Sequence, residues 1–342
     1  MIRPINALAR LERLASPSPS RDLGDTFGWT SAPGQSVGGS KRLDDVRRLD
    51  RVIDITADVV RALVAEQFPE WSGLPVTPVA RQGWDNRTFR LGDHLAVRLP
   101  SAEGYVSGIA KENRCLPFLA AHLPVPVPAP IATGQPGAGY PFPWSVRRWL
   151  PGDTVEVAHG VDRTVLAQDL GAVLSALRAA PPWPGPACGR HSYFRGCHPS
   201  VYSDEVEDAL TKLAEVVDVA ACQAVWDEAL TSAWPSAPVW FHGDMAVGNL
   251  LTTGGRLSAV IDFGTCGVGD PACDLVMAWT YFISEERKVF ADAVGLSGDT
   301  WRRARGWALW KALVTIAGQS SPDSGGFQER ALVQVLQDPV IG

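Results

Sequence analysis

The chain has 342 residues, 46% of them hydrophobic, and its 31 basic and 37 acidic side chains leave a net charge of −6. This apolar content excludes a globally disordered chain, and the length predicts two structural units or one large bilobal one. The acidic balance argues against sequence-independent nucleic-acid binding, which needs a basic face, and no stretch reaches the ~18 apolar residues of a membrane span. Six scattered cysteines, with no secretory signal, predict reduced thiols and a cytoplasmic protein.

Residues 1–51 are rich in Ser, Gly and Arg and have few sizeable apolar side chains after Leu14, a composition that predicts a disordered extension. Asp22, Asp25, Asp44 and Asp45 interrupt the basic character that an organelle-targeting peptide needs. Gly34 to Gly39 followed by Ser40-Lys41 comes close to a P-loop. The Ser-Lys order is reversed, however, and no apolar strand precedes it.

Regular structure is expected from Thr56, an N-cap for a helix carrying Val59, Val60, Leu63, Val64 and Phe68. Val76–Arg81, Arg87–Leu91 and Leu95–Leu99 read as strands, the last two joined by a Gly92-Asp93 hairpin turn. Lys111–Leu123 reads as a helix, Pro124–Pro130 as a stiff connector, and Trp144–Leu150 as a strand stopped by Pro151-Gly152. Helical spacing then dominates. Leu166, Leu170, Leu174 and Leu177 mark a helix over 164–177, and Ser203 is expected to cap another carrying Val206, Leu210 and Leu213. A strand pair, Val239–Phe241 and Leu257–Ile261, interrupts the helices, which resume with caps at Ser284 and Asp299. The expected organisation is a small sheet lobe over 52–150 and a larger helical lobe over 151–342.

The chemistry concentrates between Trp240 and Trp279. His242-Gly243-Asp244 follows a short apolar strand, Asn249 lies five residues further on, and two strands turning after it would return Asp262-Phe263-Gly264 to its side. Phosphoryl transfer needs these groups. One carboxylate orients the attacking hydroxyl and takes its proton, while an amide oxygen and a second carboxylate hold the magnesium that neutralises the phosphates. A lone His or a lone Asp-Phe-Gly would say little; the whole set at this spacing is specific.

On these residues the chain, from about Ile55 onward, resembles the aminoglycoside phosphotransferase family, the small-molecule branch of the protein-kinase-like fold. The resemblance implies an α+β bilobal fold and transfer of the γ-phosphate of ATP or GTP to a hydroxyl of a small substrate, with Mg2+ as cofactor. It implies an aminoglycoside or related antibiotic as acceptor, hence antibiotic resistance, with a macrolide or cellular metabolite as the alternative. It assigns Asp244 as catalytic base, Asn249 and Asp262 as magnesium ligands, and His242, Asp270 and Asp274 as structural support. Asn86 belongs to the loop Gly83–Thr88, where the family places its phosphate cover, and the nucleotide base is expected beside Trp149 and Leu150. Where the family expects a strand Lys paired with a helical Glu, this chain offers Arg98 and Glu112, with Lys111 as a fallback. Arg has a planar fork rather than a point charge, and this departure supports the competing reading of a nucleotide-binding pseudoenzyme acting as an interaction module.

Several features read most simply as structure. Asp204, Glu205, Glu207 and Asp208 could attract a polyamine sugar, but acidic residues also favour the first turn of a helix. Trp301, Trp307 and Trp310 read as core packing, with a hydrophobic substrate wall as the minority reading. Gly267 and Gly269 read as turn residues. Cys188, His191, Cys197 and His198 share a Pro/Gly-rich loop but lack the spacing of a zinc site.

Overall fold

The computed structural model describes residues 53–80, 82–83, 85–320 and 325–337. The expected N-terminal extension and its Gly34–Lys41 stretch lie outside the described residues, as do Arg81 and Trp84. Helix α1 (Ala57–Gln67) begins where Thr56 Oγ1 accepts a hydrogen bond from Val59 N at 3.3 Å. Thr56→Ala, which removes this cap, should cost about 1 kcal/mol of stability in denaturant titration. The apolar face of α1 packs on a five-stranded antiparallel sheet: β1 (Val76–Pro78), β2 (Asn86–Leu91), β3 (Leu95–Pro100), β4 (Pro130–Gly134) and β5 (Trp144–Arg148), in the order β1-β2-β3-β5-β4.

Alternation along the strands sorts the two faces. Phe89, Leu91, Val97, Leu99, Trp144 and Val146 join Val60, Leu63 and Val64 in the smaller of two cores. The register sets Arg98 between Thr88 and Ser145, and Arg147 beside Ala96, so both arginines emerge on the opposite face. Beneath that face runs helix α2 (Val106–Ala120). It starts five residues before the expected Lys111 and stops short of Leu123, because Pro124 disfavours helical backbone just before it. Cys115, Leu116 and Leu119 of α2 belong to the larger core.

That larger core is built from helices α3 (Arg163–Ala179), α4 (Ser203–Lys212), α5 (Val219–Ala229), α6 (Met277–Thr280), α7 (Ser284–Val294), α8 (Gly298–Ile316) and α9 (Phe327–Gln337). Three expected caps are corrected. Ser203 is the first residue of α4, because the 3-10 turn Pro199–Tyr202 runs straight into the helix. Ser284 likewise follows the cap Ile283, whose N–H donates to Glu286 Oε2 at 3.1 Å, and α8 follows Ser297 rather than Asp299.

Strand pairing differs from expectation at β7 (Val239–Phe241), which pairs with β10 (Gly267–Gly269) and not with the strand before Asp262. The two strands expected to turn after Asn249 are β8 (Leu250–Thr253) and β9 (Arg256–Val260), paired with each other, and β8 continues to β6 (Asp153–Thr154). Gly267 and Gly269 are therefore strand residues rather than turns. A Cβ would lie 2.9 Å from the Pro186 carbonyl at the first position and 2.3 Å from the Gly196 carbonyl at the second. Among the described residues no helix is long and apolar enough to cross a membrane.

Candidate active site

The chain leaves β7 at Phe241 and turns through His242-Gly243-Asp244. Gly243 sits at φ +85°, and a Cβ there would come within 2.9 Å of Thr265 Oγ1, so the turn requires glycine. Buried Asp274 fixes the turn from beneath: its two carboxylate oxygens accept from His242 N and Gly243 N, each at 2.7 Å. Burial pushes the Asp274 carboxyl above its usual range, against the pull of His242 and the two N–H donors. The His242 ring accepts from Asp244 N at Nδ1 (3.1 Å), which leaves Nε2 to donate to the Ile261 carbonyl (2.9 Å). Its other neighbour is the Phe263 ring, packed edge-on at 4.6 Å.

Asn249 ends a 3-10 turn, and its carbonyl accepts from Ile261 N at 2.9 Å, which places Asp262 beside it. The Asn249 amide donates to the Asp244 carbonyl (2.8 Å) and to Asp244 Oδ2 (3.0 Å), orienting the exposed carboxylate. Asp262 adopts left-handed backbone at φ +63°, a conformation Asp tolerates better than most residues. The structure thus brings Asp244, Asn249 and Asp262 together, with His242 and Asp274 supporting the turn. Asp270 stands one step back: its carboxylate accepts from Ala272 N (3.0 Å), capping the 3-10 turn Pro271–Leu275 that carries Asp274, and from Arg303 Nε (2.6 Å).

A charged cluster joins the sheet to this loop. Arg98 Nη2 donates to Asp262 Oδ1 at 2.8 Å, and Arg98 Nη1 lies 3.4 Å from Glu112 Oε1. With its carboxamide oxygen turned to Arg98, Asn86 accepts from Nε (3.2 Å) and Nη2 (3.0 Å). Arg147, which sequence reasoning missed, holds the other oxygen of Glu112 at 2.8 Å. Alternation along β5 was the signal that could have found it. Burial acts to raise the Glu112 carboxyl, but Arg147 and Arg98 outweigh it and hold the group below its usual range. Asp262 is likewise held low by Arg98 against the effect of burial. Lys111 instead contacts His191, through its carbonyl (2.9 Å) and Nδ1 (3.1 Å).

Asp85, in the loop before β2, is a second residue that sequence reasoning passed over. Burial, then Asp262, lifts its carboxyl from 3.8 to about 6 against the opposing pull of Arg98. In metal-free protein the stability tied to this proton is full below 3.8 and is lost as pH rises through about 6. Asp85→Asn should therefore raise the melting temperature at neutral pH and leave it nearly unchanged in acid below 3.8, as followed by thermal melts in chelator. Trp149 and Leu150 follow the end of β5. The Trp149 N–H donates to the His94 carbonyl (2.8 Å), and the Arg90 guanidinium lies 4.9 Å above its ring.

The donor set fits magnesium. Asp262 and the Asn249 amide oxygen are hard oxygen ligands, and Mg2+ is usually bound by one or two such groups together with substrate phosphates. Among the described residues no group of three or more His, Cys, Asp and Glu side chains is arranged to hold a metal, the Cys188–His198 run included.

A cavity of about 180 Å³ opens beside Asp244. Trp307 and Trp310 are buried and also line it, whereas Trp301 lies wholly in the core against Trp279 and Phe290. In the acidic run, Asp204 and Glu205 fall in the first turn of α4, and Glu205 accepts from Trp310 Nε1 at 2.9 Å.

The profile of the phosphotransferase enzyme family (APH) matches residues 76–307. Similar solved structures include the GDP complex of wild-type aminoglycoside 2′-phosphotransferase-IIIa, at 18% identity and a TM-score of 0.62 over 82% of this chain and 97% of that one. Macrolide 2′-phosphotransferase MphH from Brachybacterium faecium, as apoenzyme, is 24% identical with a TM-score of 0.54 over 83% of this chain and 100% of that one. These likenesses show a shared bilobal α+β fold. No curated protein matches the sequence. With the profile spanning more than half its length, the chain belongs to the phosphotransferase enzyme family.

Proposed function

We propose that the protein is a small-molecule kinase that transfers the γ-phosphate of ATP or GTP to a hydroxyl of a small acceptor in the cytoplasm. The observation that carries this reading is the convergence of Asp244, Asn249 and Asp262, the first of which also lines a cavity. Asp244 orients the acceptor hydroxyl and takes its proton as the oxygen attacks in line. Asn249 and Asp262 would hold magnesium, which when bound offsets the charge of the phosphates. Arg98, paired with Asp262 and steadied by Glu112, which Arg147 grips, would meet the phosphates of the nucleotide. Trp149 and Leu150 border the place for the nucleotide base.

One observation favours the reading as a nucleotide-binding interaction module: Arg98 is ion-paired with Asp262, a contact that competes with metal. Nucleotide consumption by purified protein with magnesium separates the two. The kinase is expected to be stimulated by one class among aminoglycosides, macrolides and hydroxylated metabolites; stimulation by an antibiotic would add a resistance role. Nucleotide binding without any consumption would overturn the kinase reading.

A further inference from the structure

The cavity beside Asp244 is charged in the opposite sense to that needed by a polycationic acceptor. Its wall is apolar, formed by Met245, Val247, Val276, Trp307, Trp310 and Phe327. Of the charged side chains that line it, Arg195 and Lys311 are cationic, and among the described residues Asp244 is the one carboxylate. Asp204, Glu207 and Asp208 are exposed on α4 and do not line the cavity, and half-buried Glu205 stands behind its wall, bonded to Trp310 and within the field of Arg195 and Lys311.

The placement of Arg195 is specific. Tyr202 stacks on Trp310 at 4.2 Å, and Trp307 meets both rings edge-on at 5.7 Å. The outer ring faces of this packed cluster make a cation site, since the face of an aromatic ring is negative. Here the protein's own guanidinium fills it, 4.4 Å from the Trp310 ring and 5.6 Å from Tyr202 and Trp307. Arg195 Nη1 also donates to Tyr202 Oη (3.0 Å) and the Tyr193 carbonyl (3.2 Å). The backbone is tied down as well. Ser192 Oγ donates to the Arg195 carbonyl (2.9 Å), and Asp270 N donates to the next carbonyl, Gly196 (2.7 Å). A substrate ammonium would have to displace a bound cation and then sit beside Lys311.

Resting on the kinase reading, we propose that the acceptor is an apolar alcohol bearing an anionic group, paired by Arg195 and Lys311, and that polycationic aminosugars are excluded. The space agrees: about 180 Å³ holds a single ring, since a cavity of roughly 150 Å³ accommodates benzene.

Three probes share a ring and a benzylic hydroxyl and differ in charge: 4-(hydroxymethyl)benzoate, benzyl alcohol and 4-(aminomethyl)benzyl alcohol. Ligand-observed NMR on the full chain should rank them in that order. A charge-assisted contact corresponds to about tenfold tighter binding of the anion than of the cation. Arg195→Met and, separately, Lys311→Met should each narrow that gap; the second variant leaves the aromatic cluster intact should the first misfold. Tightest binding by the neutral or cationic probe, or no difference among the three, overturns the proposal. Magnesium-dependent nucleotide consumption is read in parallel. Kanamycin-stimulated turnover would overturn this acceptor class and keep the kinase, whereas the stated ranking with no turnover under any probe would count against the kinase alone.

Discussion

Asp244→Ala should lower phosphoryl transfer by about 10²–10⁴-fold, the usual cost of removing a general base, while nucleotide affinity and melting temperature stay close to wild type. The separation follows from the surroundings of the side chain. Its carboxylate is exposed, so its removal opens no core cavity. Asn249 loses one acceptor, Asp244 Oδ2, but keeps the Asp244 carbonyl at 2.8 Å and so retains its orientation. His242 and Gly243 remain fixed by Asp274. Steady-state turnover, nucleotide titration and a thermal melt on the same preparation check the three parts; near-normal turnover would remove Asp244 from its role.

The largest effect on stability is expected from Arg303→Leu. Arg303 is fully buried, and its guanidinium donates to Asp270 Oδ2 (2.6 Å), Ser232 Oγ (2.9 Å), the Asp299 carbonyl (3.1 Å) and Thr300 Oγ1 (3.3 Å). Leucine strips the partner from a carboxylate that is only 6% exposed. Breaking a buried pair in this way costs about 3–5 kcal/mol, because an uncompensated charge stays behind. Adding Asp270→Asn should recover part of that loss in denaturant titration, since the stranded charge is then gone. A failure to recover would mean that packing of the Arg303 stem, not the ion pair, carries the effect. Because Asp270 N also holds the Gly196 carbonyl, any activity lost by the single variant should fall on acceptor KM rather than on nucleotide binding.

The parts of the site legible in the sequence are those written close together in the chain. Asp244, Asn249 and Asp262 lie close in the chain, and the intervening strands are short enough for spacing to imply their meeting, while the supporting parts of His242 and Asp274 came from the family resemblance. Arg98 and Glu112 were reached through the family resemblance, which expects a cation on that strand paired with a Glu on the next helix. Arg147 and Arg195 were not, because what gives each its meaning lies far away in sequence. Arg147 acquires its role from Glu112 across the sheet, and Arg195 from Trp307 and Trp310 on a helix near the other end of the chain. Cysteines and histidines crowd around Arg195 and draw the eye away from it. The fold class could be read from the shift between strand and helix patterns. Strand partners were harder: β7 pairs with β10, whose glycines make room for the carbonyls of Pro186 and Gly196, and that crowding comes from a segment far from both strands in sequence.

Helix α2 has two allegiances. Cys115, Leu116 and Leu119 anchor it in the larger core, while Glu112, on the same helix, grips two arginines of the small sheet. Dispersion and apolar burial fix one side, short ion pairs the other. Any motion of the sheet against the larger core should therefore leave α2 with that core and pivot on the Glu112 contact. Since Glu112 and Arg147 are almost wholly buried, salt will screen that pivot far less than it screens a surface ion pair. The hold of α2 on the sheet through Glu112 and Arg147 should then be nearly indifferent to ionic strength.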